Sequence, residues 1–200
     1  MNVSMPIRSF KQVELSPVRA ARRERLLDAA EALFVTQGFR ATSIEGIAEA
    51  AGMSKVTVYG YFNDKEAVFV AVAARIADTL EEAVQMALAA DAPFPAPLAM
   101  ALTAKHRIVH QRVQRSAFAS ELFQAKAAHV ARRFAALDDM IISGLTAALV
   151  REGHTSETAA ESAQLLFCAA NGIANRAGDV GVLAARIERL VRAVVADAGA

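Results

Sequence analysis

The stretch from Gly38 to Phe69, GFRATSIEGIAEAAGMSKVTVYGYFNDKEAVF, leaves few folds open to this chain. Thr42-Ser43-Ile44-Glu45 has the T-x-x-E pattern of a capping box, in which a hydroxyl and a carboxylate satisfy the orphan amides of a helix start. A helix is therefore expected to begin near Ser43, with Ile44, Ile47, Ala48 and Ala51 at helical spacing and Gly52 supplying the left-handed residue that ends it. Ser54 is a good N-cap for a second short helix over Lys55 to Phe62, with Val58 and Phe62 on its inner face. Asn63 or Asp64 then caps a third, longer helix. Two short helices joined by a tight glycine-containing turn, the second with polar residues at its N-terminus, describe a DNA-binding helix-turn-helix, although other small helical bundles also use such turns.

Around this unit the chain reads as all-α. Ser16-Pro17 gives an N-cap followed by proline at the first helical position, and a helix over 17–37 follows, with Leu26, Leu27, Ala30, Leu33 and Phe34 as its apolar stripe and Gly38 closing it. After the long helix from Asp64 to about Ala90, Pro93, Pro95 and Pro97 mark a connector. Helices are then expected over 98–115, 117–127, 129–151, 156–176 and 180–197, about nine in all, with Thr158 and Glu161 offering a further capping box. The expected organisation is a flexible basic arm over 1–15, a three-helix DNA-binding domain over 16–66, and a C-terminal helical ligand-binding and dimerisation domain over 67–200.

At 54% hydrophobic and 22% charged residues the chain can bury a substantial core, which excludes a disordered type. Its longest run without a charge, Ser162 to Asn175, is 14 residues and too short to span a membrane. The N-terminus has no apolar h-region, and the single cysteine, Cys168, allows no internal disulfide, so the reducing cytoplasm is the expected location. The first 25 residues carry six Lys or Arg against two acids, an arm suited to a phosphate-rich partner. No nucleophile–base pair, carboxylate cluster or phosphate loop argues for an enzyme, and no motif asks for a cofactor or a metal.

The residues Thr42-Ser43, Ile47-Ala48, Ala51-Gly52-Met53-Ser54, Thr57-Val58-Tyr59, Tyr61-Phe62 and Lys65-Glu66 resemble the tetracycline-repressor-like (TetR/AcrR) transcriptional regulators. The resemblance covers about the first 70 residues; beyond them only length, helical character and a pair of C-terminal helices agree. It implies a homodimer on a palindromic operator in double-stranded DNA, usually a repressor, released when a small-molecule inducer binds the C-terminal domain. It also implies phosphate contacts from Thr42, Ser43, Tyr59, Tyr61 and Lys65, and base-facing positions at Lys55, Val56, Thr57 and Gly60. Val56 stands where the family commonly has Gly or Pro, and Gly60 where it commonly has a larger side chain.

Helix-end physics points the same way for Ser54 to Thr57, because unpaired amides and the positive end of the dipole attract phosphate. Lys55 is the only charged candidate for a base edge, guanine O6/N7 being the natural one, while Val56 and Thr57 suit a thymine methyl. With no bidentate Arg, Asn or Gln on this helix, sequence preference is expected to rest partly on DNA shape and on Arg19, Arg22 or Arg23 near the backbone or minor groove. Tyr59 and Tyr61 are alternatively core aromatics.

The C-terminal half is less explicit. Ala101 to Arg133 holds seven Lys or Arg against one acid, with His106, His110 and His129 among them, so it is either an anion-binding region or a solvated face. Phe118, Phe123, Phe134, Met140 and Phe167 line a ligand pocket or fill ordinary core, and Asn171, set in an apolar helix, meets a core partner, a dimer partner or a ligand. Ala159, Ala163, Phe167 and Ala170, with Val182, Ala185, Leu190 and Val194, offer broad apolar faces that either form the core of one subunit or, the favoured reading, a two-fold four-helix dimer interface. Cys168 reads as a small buried residue. A second functional reading keeps the DNA-binding fold but makes its output contact with another protein, as in nucleoid-occlusion factors, with no inducer.

Overall fold

The computed structural model describes residues 16–112 and 128–198. Among them lie eight helices and no strand: α1 (Pro17–Ala41), α2 (Ile44–Ala50), α3 (Lys55–Tyr59), α4 (Lys65–Leu88), α5 (Ala96–Arg112), α6 (Ala128–Arg151), α7 (Ser156–Ala174) and α8 (Val180–Ala198). The basic arm, the helix expected over 117–127, Phe118 and Phe123 fall outside the described residues.

Capping explains most of the boundaries. Ser16, Ser54 and Asp64 cap α1, α3 and α4, their side chains accepting from Arg19 N, Thr57 N and Ala67 N. Two expected boxes are corrected: Ser43, not Thr42, caps α2 by accepting from Gly46 N, and Thr155, not Thr158, caps α7. Thr42 is turned inward instead, 2% exposed, its hydroxyl donating to the Gly38 carbonyl at 2.7 Å and accepting from Gln37 Nε2. Gly38 breaks α1 at the expected place. It takes φ 83°, ψ 166°, and the chain resumes one more helical turn to Ala41, a detour that glycine tolerates without steric cost.

α4 is the element both halves share. Its first turns close a domain with α1, α2 and α3, while the remainder packs on α5 and α6; α6 packs on α7, α7 on α8, and α8 back on α5. One continuous apolar core runs through these contacts, from Leu26, Phe34 and Ile47 to Ile141, Leu166 and Ile187. Apolar packing is reinforced by ion pairs between helices. Arg75 on α4 reaches Asp28 at 2.7 Å, Glu31 at 2.6 Å and Glu24 at 3.3 Å on α1, and Arg133 on α6 reaches Asp78 at 2.8 Å and Glu81 at 2.6 Å on α4. Arg112 on α5 adds a 3.5 Å contact to Glu31, so the charged face of α1 is tied to both α4 and α5.

Arg75→Ala leaves three carboxylates facing one another without their common cation. We expect a loss of about 1–2 kcal/mol, because all but Glu31 are largely solvated. Thermal melts should fall by roughly 2–8 °C, and the fall should shrink at high salt, which screens the released repulsion.

Candidate nucleic-acid interface

The turn between α2 and α3 is built by local chemistry. Gly52 sits at φ 64°, its N–H donates to the Glu49 carbonyl at 3.0 Å, and the Met53 N–H donates to the Ala48 carbonyl at 2.8 Å. That pair is a Schellman motif, which stops α2 and sets the angle at which α3 leaves. Arg25, reaching across from α1, donates to the last free carbonyl of the turn, Ala51, at 2.8 Å.

α3 is shorter than expected, ending at Tyr59 with Gly60 as its cap, though Phe62 N–H still bonds the Val58 carbonyl. Val58 and Phe62 are buried at 0% and 7%, and they seat the helix against the domain core. Its other side is open: Val56 is 80% and Tyr59 47% exposed, and Lys55 and Gly60 are exposed beside them. The Lys55 ammonium lies 5.9 Å from the centre of the Tyr59 ring, and Val56 is displayed to solvent on a short, fully capped helix. Thr57 is half-buried, its hydroxyl 2.8 Å from that of Ser54. The Lys55 ammonium pairs with the Glu45 carboxylate on α2. That hydrogen bond holds Glu45 below the usual carboxylate range and raises Lys55. The sequence offers Glu45 as the carboxylate of a capping box; its pairing with Lys55 spans ten residues across a turn, and no single-helix spacing announces it.

Basic side chains of α1 flank this head. Arg19 donates to the Gly60 carbonyl at 3.1 Å with its guanidinium 5.3 Å from the centre of the Tyr61 ring, and Arg23 lies 5.7 Å from the Phe62 ring. Arg22 is exposed and Ser43 is exposed at the start of α2. Arginine stacked on an aromatic face keeps its outer N–H groups for a second acceptor. Tyr59 is therefore a surface residue, while Tyr61 is half-buried beneath Arg19. Thr42, by contrast, is too deeply buried to offer its side chain to a phosphate.

Residues 26–72, which contain α2, α3 and the start of α4 but not the flanking arginines of α1, match the bacterial regulatory proteins of the tetR family. The fold as a whole agrees: a TetR-like transcriptional regulator from Rhodococcus sp. RHA1 superposes with a TM-score of 0.68 at 27% identity, over 89% of this chain and 97% of that one. The N-terminal segment thus carries the tetR-family DNA-binding module, on a fold like that of a TetR-like regulator. Among similar proteins, the HTH-type transcriptional activator FasR of Mycolicibacterium smegmatis is 40% identical over 70 residues, 35% of this chain and 32% of FasR. The transcriptional repressor KstR2 of Rhodococcus jostii is 42% identical over 50 residues, 25% of this chain and 24% of KstR2. The matched stretch thus spans about a third or less of the length of these relatives.

Within this TetR-family framework Lys65 occupies an unexpected place. Its ammonium donates to the carbonyls of Phe39 at 2.7 Å and Thr42 at 2.8 Å and stands 4.3 Å above the Phe39 ring. Two of its three N–H groups are spent on the protein, leaving one for a phosphate. Lys65→Ala is expected to lower the stability of the unbound protein by about 1.5–3 kcal/mol, besides weakening binding to DNA of any sequence. A melting temperature unchanged by the substitution would show that the two carbonyl bonds contribute nothing.

The C-terminal candidates separate. Ala159, Ala163, Phe167 and Ala170 are buried inside the subunit at 0–7% exposure, which corrects their assignment to a dimer face: α6 and α5 already cover them. Val182 and Ala185 are exposed, and Leu190 and Val194 half-buried. Cys168 is exposed rather than buried, on the opposite side of α7. Phe134, Met140 and His110 are half-buried, and His106 is 4% exposed. Among the described residues of the basic segment, Arg112 and Arg133 are paired with acids, Lys105 is 8% exposed and Arg107 is exposed. Lys105, Phe167 and Asn171 do come together, as described below.

Proposed function

We propose that this chain is a ligand-responsive, sequence-specific DNA-binding regulator of transcription. In this reading it is a cytoplasmic homodimer that represses from a palindromic operator and leaves it when a small molecule binds the C-terminal domain. The observation that carries the reading is the exposed face of α3: Lys55, Val56, Thr57 and Tyr59 project from a helix capped, anchored and flanked by Arg19 and Arg23. Such a helix offers side chains to base edges while the arginines and the helix N-terminus hold phosphates. Repression is supported by the family at large and by KstR2; FasR, an activator, is the reason to measure the sign of regulation directly.

The dimer in this reading forms through the outward faces of the last two helices, where Leu165 is 55% and Val182 44% exposed. Selection of bound sequences from random DNA tests DNA reading and symmetry together. Two inverted half-sites about 34 Å apart, or a multiple of that, are expected; absence of enrichment, or a single unsymmetrical site, would overturn the proposal. Thr57→Ala should alter the preferred base at one position of each half-site, shifting discrimination there by about 1–3 kcal/mol, with the salt dependence of binding unchanged.

A further inference from the structure

Lys105 on α5 is the one lysine of the described residues whose side chain is carried into the interior of the C-terminal domain, at 8% exposure. Its ammonium has three neighbours on two other helices: Asp138 Oδ1 on α6 at 3.2 Å, Asn171 Oδ1 on α7 at 3.2 Å, and the face of Phe167 on α7 at 3.9 Å. Burying an ammonium is costly unless a countercharge is held firmly against it. Here the countercharge is held loosely. The Asp138 side chain is 44% exposed against 10% for the lysine, and 3.2 Å is longer than the 2.8 and 2.6 Å of the Arg133 pairs. Asp138 is thus the member of the pair that meets solvent, and the ammonium lies behind it.

Asn171 sharpens the chemistry. Lysine only donates, so the amide must turn its oxygen to Nζ, which directs its NH₂ away with no protein partner among the described residues. An acceptor lodged against Nζ would find these two further donors beside it. Next to Lys105 on the same helix, His106 is 4% exposed with its Nε2 unpartnered, so this part of α5 carries more buried polar capacity than the subunit itself satisfies.

Building on the inducer reading above, we propose that Lys105 and Asn171 anchor the carboxylate of a small organic acid, which takes the place of Asp138 on the ammonium. A singly charged group fits better than a phosphate dianion, because one lysine supplies one positive charge and His106, held neutral by burial, adds none. The exchange has a mechanical consequence. Asp138 is the link from α5 to α6, and α6 is tied through Arg133 to Asp78 and Glu81 on α4, the helix that carries Arg75 and Phe69 against α1. Releasing Asp138 changes the packing of α6 along the helix that holds the reading head, and the ligand shifts that equilibrium by its differential affinity for the two arrangements.

The test is thermal melting of the full chain in titrations of octanoate and benzoate, with octanamide and benzamide as uncharged controls, on wild type, Lys105→Met and Asp138→Asn. The acids should stabilise wild type saturably and the amides should not. Asp138→Asn, which removes the competing carboxylate and keeps its volume, should bind the acids about tenfold more tightly, and Lys105→Met about tenfold or more weakly. Equal responses to acid and amide, an undiminished response in Lys105→Met, or an Asp138→Asn protein that responds to neither acid would overturn the proposal. A mobility-shift assay on wild type judges the regulator reading separately. Operator release by an uncharged molecule alone would leave that reading standing and sink this one, whereas failure to bind any DNA would sink the regulator reading whatever the acids do.

Discussion

Phe34→Ala should cost about 3–5 kcal/mol and abolish DNA binding at physiological temperature. Phe34 is fully buried, and its ring meets Phe39 at 5.8 Å and Phe69 edge-on at 5.6 Å, while Phe39 and Phe69 meet at 5.1 Å. These rings join α1, the turn after its Gly38 break, and the first turns of α4. Alanine leaves a cavity at that junction, and the lost edge-to-face contacts add to the lost burial. The melting temperature should fall by roughly 6–20 °C. Phe34→Leu, which fills most of the volume, should lose much less and keep operator binding. If alanine and leucine behave alike, the aromatic junction is not what holds the reading head to α4.

How far this domain can be read from sequence depends on the range of the interaction. Caps at Ser16, Ser54 and Asp64 and the stop at Gly52 are decided within three or four residues, and each stands where the pattern places it. Thr42 shows the limit. Two hydroxyls stand side by side at 42 and 43, and the choice between them was made by the Gly38 carbonyl, which the break in α1 brings within 2.7 Å of Thr42. Lys65 shows it as well: the family resemblance gives it a phosphate, but only the fold brings the carbonyls of Phe39 and Thr42, 26 and 23 residues earlier, onto two of its N–H groups.

In the C-terminal domain, periodicity identified which residues share a face without saying what covers it. The small-residue stripe Ala159, Ala163, Ala170 was legible, but small residues permit close approach to any helix, and here the neighbours are in the same subunit. Asn171 stood out as a polar residue in an apolar helix, while its partner Lys105 was hidden in a run of basic residues that looked alike. Nothing in that run distinguishes the lysine that turns inward from Arg107, which stays exposed, because the difference lies in α7 packing against one side of α5.

His106 gives the second large effect, and its sign follows from the burial. In the fold its pKa is lowered from 6.5 to about 4, first by loss of solvent and then by the charge of Lys105. An unfolded chain protonates this imidazole near pH 6.5, whereas the folded chain waits until about pH 4. Between those values the unfolded state binds more protons, so stability is retained above pH 6.5 and falls as the pH drops toward 4. The full loss is about 3 kcal/mol, or a fall in melting temperature of roughly 6–12 °C. Carboxylates held low in the fold, such as Asp179 on the amides of Val182 and Gly181, also lose stability in acid, so one profile alone does not isolate the histidine. His106→Leu does. It keeps those carboxylates, removes the imidazole and its unpartnered Nε2, and should match or exceed wild type at pH 7 while losing far less between pH 6.5 and 4.5. Superimposable profiles for the two proteins would mean that solvent reaches this imidazole after all.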